Sequence, residues 1–320
     1  MDSILFETPD NPLPGKPVAG FFDGKDGARI RYAMFRGEGS IAMGTVVLLQ
    51  GRNESIEKYY ETIGELTAQG LWVATFDWRG QGGSSRLLDD PAKGHVERFS
   101  DYGEDLGIFL ETIVLPDGRL PFFLVAHSMG ALVALAQAPY LENRIERMVL
   151  AAPFVALAGQ RFSQGKIEVF ARIATALGLG GRTFQKPRGA IPFAGNIYTS
   201  DERRFARNAA ICSEHPELAV GPPTARWLNE VLGAINRVGE QSHLTRIRIP
   251  TVMLCATRDA LVPRAALARL ARRFRAARLI EIDNARHELF QEADVYRAQA
   301  MAALSAFIPG SDATAPDFAA

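Results

Sequence analysis

Residues 121–136 read Pro121-Phe122-Phe123-Leu124-Val125-Ala126-His127-Ser128-Met129-Gly130-Ala131-Leu132-Val133-Ala134-Leu135-Ala136. The first apolar run has the length of a strand covered on both faces, and the second is a buried helix pattern, so the stretch predicts strand, sharp turn, helix. At the turn stands small-x-Ser-x-Gly, the nucleophile-elbow pattern. Such a turn holds its serine in a strained backbone, and neighbours without bulk are needed where strand and helix cross. Ala126 stands where glycine is usual and adds only one methyl group. The competing reading is that Ser128 merely caps a helix, since serine favours helix starts. The pentad alone does not separate the two; the partners of Ser128 must.

On either side of this stretch the chain alternates strand and helix. Val18–Phe22 and Ala28–Phe35 flank a glycine-punctuated turn and predict an antiparallel hairpin at a sheet edge. Strand 45–50, a helix over 56–69 ending at Gly70, and strand 71–76 predict a parallel pair with a right-handed crossover. A helix capped by Ser100 or Asp101 runs to about Leu115, and strand 147–152 follows the elbow helix. The alternation stops after Pro153 and resumes with strand 249–256, helix 263–275, strand 279–282 and a last helix from about Leu289 to Phe307. The predicted fold class is α/β: a mostly parallel, doubly wound sheet in two parts, 18–153 and 250–308, with a helical lid inserted at 154–249. Residues 1–17 and 309–320 read as a surface arm and tail.

Lys+Arg and Asp+Glu number 36 each, a balance that argues against nucleic acid as a partner. Two cysteines, Cys212 and Cys255, are too few for a disulfide framework, and no Cys-x-x-Cys spacing suggests zinc. The loop Asp77-Trp78-Arg79-Gly80-Gln81-Gly82-Gly83-Ser84 is glycine-rich but fits neither phosphate fingerprint; Asp77 and Arg79 are expected to lock a tight loop beside the serine. No cofactor or metal is expected. The start of the sequence lacks a basic segment followed by an apolar one, so no secretory signal is expected, and a cytoplasmic protein, peripheral at most to the inner membrane face, is anticipated.

A serine hydroxyl needs an imidazole to take its proton and a carboxylate to orient that imidazole. In a parallel sheet both belong on loops at the carboxyl ends of strands. His287 follows the last strand and qualifies. His127 belongs to the turn and is expected to point away, while His95, His215 and His243 read as solvated surface histidines. For the acid, Asp259 follows strand 251–256, and Asp283 is the runner-up on the histidine's own loop. The order Ser128, Asp259, His287 is that of the α/β-hydrolase fold. The oxyanion donors are expected to be the backbone amides of Met129 and Arg52, with the Arg52 guanidinium facing solvent.

With these residues in place the chain resembles the α/β-hydrolase family, and within it the monoacylglycerol lipase and bacterial lysophospholipase group. The similar motifs are Gln50-Gly51-Arg52-Asn53-Glu54, Asp77–Ser84, Gly94-His95-Val96-Glu97-Arg98-Phe99 with Asp101-Tyr102, His127–Gly130, Arg258-Asp259 before Leu261-Val262-Pro263, and His287. Gln50 stands where histidine is usual. The resemblance implies a serine hydrolase acting on a single-acyl-chain lipid ester. Thioesterases, aminopeptidases and acyltransferases use the same triad, and a non-catalytic ligand-binding protein on this fold is the reading from a different class. The predicted lid holds thirteen Lys or Arg against seven Asp or Glu, from Arg161 to Arg248, an excess that would attract an anionic membrane. The alternative is that these charges are merely solvated and that Phe162, Val169, Phe170 and Ile173 form the lid's own core.

Overall fold

Alternate residues along consecutive strands fall into two apolar clusters. Val47, Leu49, Leu124, Ala126, Met148 and Leu150 belong to one, and Val46, Leu48, Phe123, Val125, Val149 and Ala151 to the other. Side chains alternate across a strand, so this division means a sheet buried on both faces. The structure, a computed structural model, describes residues 4–37, 39, 42–158, 160–185 and 191–309. Residues 1–3 of the arm, Lys186 and Arg188 of the basic set, and the tail beyond 309 lie outside the described residues.

The sheet has eight strands: β1 (Val18–Asp23), β2 (Arg29–Phe35), β3 (Thr45–Leu49), β4 (Trp72–Phe76), β5 (Phe122–His127), β6 (Arg147–Ala151), β7 (Thr251–Ala256) and β8 (Ala277–Ile282). Their order is β1-β2-β4-β3-β5-β6-β7-β8. β1 and β2 form the predicted antiparallel edge hairpin, β2 also runs antiparallel to β4, and the remaining pairs are parallel. From β3 the chain crosses first to β4 on one side and later to β5 on the other. The carboxyl ends of β3 and β5 therefore flank the point where the winding reverses, the place where open α/β sheets bind ligands. Leu49 pairs with Ala126 there, which sets the loop after β3 beside the turn at Ser128.

α1 (Tyr60–Ala68), entered through a tighter 3₁₀ turn over Ile56–Tyr59, and α10 (Asp294–Phe307) cover one face. α2 (Phe99–Phe109) and α4 (Ser128–Leu141) cover the other. α2 continues through a π turn, Leu110–Val114, into α3 (Leu115–Asp117). It begins at Phe99 rather than after a Ser100 or Asp101 cap: the Arg98 amide donates to Asp101 Oδ2 at 3.1 Å, which puts Asp101 inside the first turn.

Between β6 and β7 lie α5 (Gln164–Ala174), a π turn over Thr175–Leu179, α6 (Glu202–Glu214), α7 (Ala225–Val238) and α8 (Gln241–Leu244); α9 (Arg264–Arg273) links β7 to β8. α7 sends Trp227, Val231, Ile235 and Val238 into the same apolar cluster as α4. α5 does the opposite. Phe162 just before it, Val169, Phe170 and Ile173 on it and Leu177 just after are exposed, with Leu177 at 71%. These residues therefore form no core of their own. Arg204 and Arg207 of the basic set point inward, each 2.6 Å from a Glu61 oxygen on α1, and are neutralised there. Among the described residues no helix is long and apolar enough to cross a membrane.

Candidate active site

β5 ends in extended backbone at His127, and the chain then turns within one residue: Ser128 has φ of 50°. A non-glycine residue in this region is strained, so the surroundings must impose the turn. They do so by close packing. A Cβ at Gly130 would lie 2.5 Å from the Gln50 carbonyl oxygen and 2.7 Å from that of Leu49, so only glycine lets α4 sit this close to β3. Gln50 itself reaches the opposite way, its amide 3.2 Å from Thr75 Oγ1 on β4.

The Ser128 hydroxyl does not cap α4. Its Oγ lies 2.9 Å from His287 Nε2, and His287 Nδ1 lies 2.6 Å from Asp259 Oδ2. Three side chains from the ends of β5, β7 and β8 thus make one chain of hydrogen bonds. Asp259 is further fixed by its other oxygen, which accepts from the Leu261 and Val262 amides at 2.7 and 3.0 Å. Burial alone would raise its carboxyl pKa; the His287 bond and these two amides outweigh that and hold it below the ordinary value. Asp283, the runner-up, accepts instead from Thr257 Oγ1 at 2.9 Å on the exposed side. Such a line of groups can carry a proton from a hydroxyl to an imidazole while the carboxylate stabilises the resulting positive charge.

His127 points away from Ser128, as expected, and toward a network that sequence reasoning missed. Its Nε2 lies 3.2 Å from the His287 carbonyl oxygen and its Nδ1 3.2 Å from Glu54. Both partners are acceptors, so both bonds form fully only when the ring carries two protons. Burial would lower the His127 pKa, but Glu54 overrides it and raises the pKa. Glu54 also accepts from Tyr59 at 2.7 Å, from Lys58 at 2.9 Å and from the Gly51 amide. Lys58 reaches on to Glu288 at 2.7 Å. The loop after β3 and the loop bearing His287 are therefore bolted to each other behind the serine. The i,i+4 spacing of Glu54 and Lys58 was the available signal.

The glycine-rich loop after β4 braces the same place. Trp78 Nε1 donates to the Gln50 carbonyl and Gln81 Nε2 to that of Gly51, both at 2.8 Å. Asp77 pairs with Arg31, which also pairs with Glu57, and Arg79 forks onto Asp105 at 2.6 Å. The loop's charges are thus spent internally, as the locking role requires. The Met129 amide, in the first turn of α4, precedes intrahelical bonding, and the Arg52 amide donates to no group among the described residues.

Two expectations fail. The Arg52 guanidinium does not face solvent; it is covered by Trp227, whose ring centroid lies 5.1 Å away, and donates to the Gly221 carbonyl. His95 is buried, its Nδ1 2.9 Å from Thr224 Oγ1 and its Nε2 3.0 Å from Glu97, because the loop around Gly94 pairs with residues 221–224 above it. His243 is half-buried on the Leu135 carbonyl, and His215 stacks on Phe6 with ring centroids 4.1 Å apart. Among the described residues no group of three or more His, Cys, Asp or Glu is placed to hold a metal ion.

The comparisons with known proteins agree with this fold. The family described as serine aminopeptidase, S33, matches residues 41–294. Lysophospholipase L2 of Escherichia coli (strain K12) is 31% identical over 301 residues, covering 89% of this chain and 86% of the relative. A probable lysophospholipase L2 of Haemophilus influenzae is 29% identical, covering 90% and 91%. Among solved structures, a soluble variant of monoglyceride lipase from Saccharomyces cerevisiae, in complex with a substrate analog, superposes with a TM-score of 0.74, at 19% identity over 93% of this chain and 99% of that one.

Proposed function

The chain belongs to the family described as serine aminopeptidase, S33, and on that footing we propose that it hydrolyses the carboxylic ester of a lipid with one acyl chain, a lysophospholipid or a monoacylglycerol, with Ser128 as nucleophile. The observation that carries the serine assignment is the pair of distances at His287: 2.9 Å to Ser128 Oγ and 2.6 Å to Asp259. His287 takes the hydroxyl proton as Oγ attacks the ester carbonyl. The amides of Met129 and Arg52 hold the oxygen that gains charge, and each such donor is worth roughly 10²–10³ in rate. His287 then gives the proton to the departing alcohol, and water, deprotonated by the same ring, releases the fatty acid from Ser128.

The segment 154–249 acts in this account as a lid that docks on an anionic membrane surface. What supports that is α5, where the exposed apolar residues stand among the exposed Arg161, Lys166, Arg172 and Arg182. The experiment that tests the catalytic reading is a panel of lysophospholipid, monoacylglycerol, acyl-thioester and aminoacyl-amide substrates. The two lipid esters are expected to be cleaved fastest. Turnover confined to the aminoacyl amides would replace the ester reading by an aminopeptidase one.

A further inference from the structure

Among the described residues, cations withdrawn from solvent are typically matched to anions: Arg31 to Glu57 and Asp77, Lys58 to Glu54 and Glu288, Arg79 to Asp105, Arg204 to Glu61. Arg86 lacks a carboxylate but spends its donors on the carbonyls of Gly80, Gly82, Glu217 and Ala219. Arg52 has no carboxylate and one carbonyl, with the Trp227 ring beside it. Of its guanidinium donors, Nη2 reaches the Gly221 carbonyl, and Nε is sealed from water with no hydrogen-bond partner. Burial lowers its pKa to about 10, and the groups acting the other way are the phenols of Tyr102 and Tyr198, not a carboxylate. A sealed donor without an acceptor is costly, and a half-buried guanidinium with no carboxylate beside it is free to take an anion.

The position of this cation says which ligand. Arg52 follows Gly51 directly, on the loop that packs against Gly130 of the elbow, so its side chain starts beside the scissile carbon of any ester attacked by Ser128. Glycine at position 94 lets the guanidinium lie directly against the backbone there: a Cβ at Gly94 would lie 2.5 Å from Nη2. Trp227 walls the far side. Of the two halves of a single-chain lipid ester, the acyl half is hydrocarbon and carries no charge. An anion able to meet the guanidinium must belong to the alcohol half, and a planar fork of N–H donors suits phosphate oxygens in particular.

We propose that Arg52 binds a phosphate carried on the alcohol portion of the substrate, so that the enzyme selects lysophospholipids over uncharged monoacylglycerols. This rests on the ester-hydrolase reading of Ser128. Arg52 is thereby a specificity-determining residue through its side chain as well as an oxyanion donor through its amide. The Gly221 carbonyl, which it holds in the free enzyme, is the group it relinquishes or shares when phosphate arrives.

The test uses the full chain, with 1-acyl-glycerol 3-phosphate and the matching 1-acyl-glycerol as substrates, both as monomers below their micellar concentrations. In Arg52→Gln the ratio of kcat/KM for the phosphate-bearing lipid to that for the neutral one is expected to fall at least tenfold, mainly through KM, with Arg52→Lys in between. Absolute rates on both lipids can drop together if the loop is disturbed; the ratio is the readout. Glycerol 3-phosphate should inhibit neutral-lipid turnover competitively in the natural enzyme, more strongly than inorganic phosphate or glycerol, and should raise the melting temperature of Ser128→Ala. If Arg52→Gln fails to fold, these last two measurements decide. An unchanged ratio, or no inhibition and no stabilisation by glycerol 3-phosphate, overturns the proposal and leaves Arg52 as a clamp on Gly221. Absence of turnover on both lipids by the natural enzyme is a different result, which overturns the ester reading instead.

Discussion

Ser128 combines a backbone that resists its conformation with a hydroxyl that lies within hydrogen-bond reach of an imidazole. The strain at φ 50° lifts the side chain out of the strand–helix crossing, and His287 meets it at 2.9 Å. If Asp259 does no more than fix the tautomer of His287 and stabilise its charged form, Asp259→Asn should leave the fold standing and lower kcat by about 10⁴-fold, the scale seen when a triad aspartate becomes an amide. A loss of less than tenfold in steady-state kinetics would mean that another group orients the ring. These three residues were legible in the sequence because each sits at a strand end that composition alone predicts. The Arg52 guanidinium and His95 were misread for the converse reason. Their burial is created by residues 221–227, some 130 to 170 positions away, and no local pattern announces that contact.

The elements differ in how far their surroundings were readable. β3, β5, β6 and β7 announced themselves as continuous apolar runs because both their faces are covered. The region between β6 and β7 could be recognised as helical insertion but not resolved into parts. Its α7 is amphipathic and buried on the sheet side, whereas α5 packs on α7 through Ile167, Ala171 and Ala174 and leaves Val169, Phe170 and Ile173 bare, and periodicity does not say which face finds a neighbour. If α5 is the docking face, its affinity for anionic vesicles is partly electrostatic, at about 1 kcal/mol per basic residue near the surface, and screened by salt. Cosedimentation with anionic vesicles should fall at least tenfold between low and high salt, with turnover of vesicle-borne substrate falling in parallel and turnover of monomeric substrate unaffected. Indifference of both binding and interfacial turnover to salt removes α5 from the account.

Taken together, the fold places most of its buried charge at the carboxyl edge of the sheet, where the loops after β3, β4 and β8 are tied by ion pairs rather than by apolar packing. This makes the site's scaffold sensitive to pH in a direction that can be worked out. The His127 pKa is raised in the folded state, so its contribution is complete below its unfolded value of about 6.5 and is lost as pH rises through the higher folded value. Breaking a buried pair of this kind costs about 3–5 kcal/mol. The stability difference between the natural protein and His127→Asn, from thermal or denaturant unfolding, should therefore be largest and flat below pH 6.5 and shrink above it; a difference that grows with pH contradicts the assignment. Whether all this architecture serves one reactive oxygen is read most directly by covalent labelling. After treatment with a fluorophosphonate probe, intact-mass and peptide mapping should find a single adduct, on Ser128, forming in step with loss of ester hydrolysis and greatly slowed in His287→Ala. Complete inactivation with the adduct on another residue, or full activity with Ser128 fully labelled, would contradict the account.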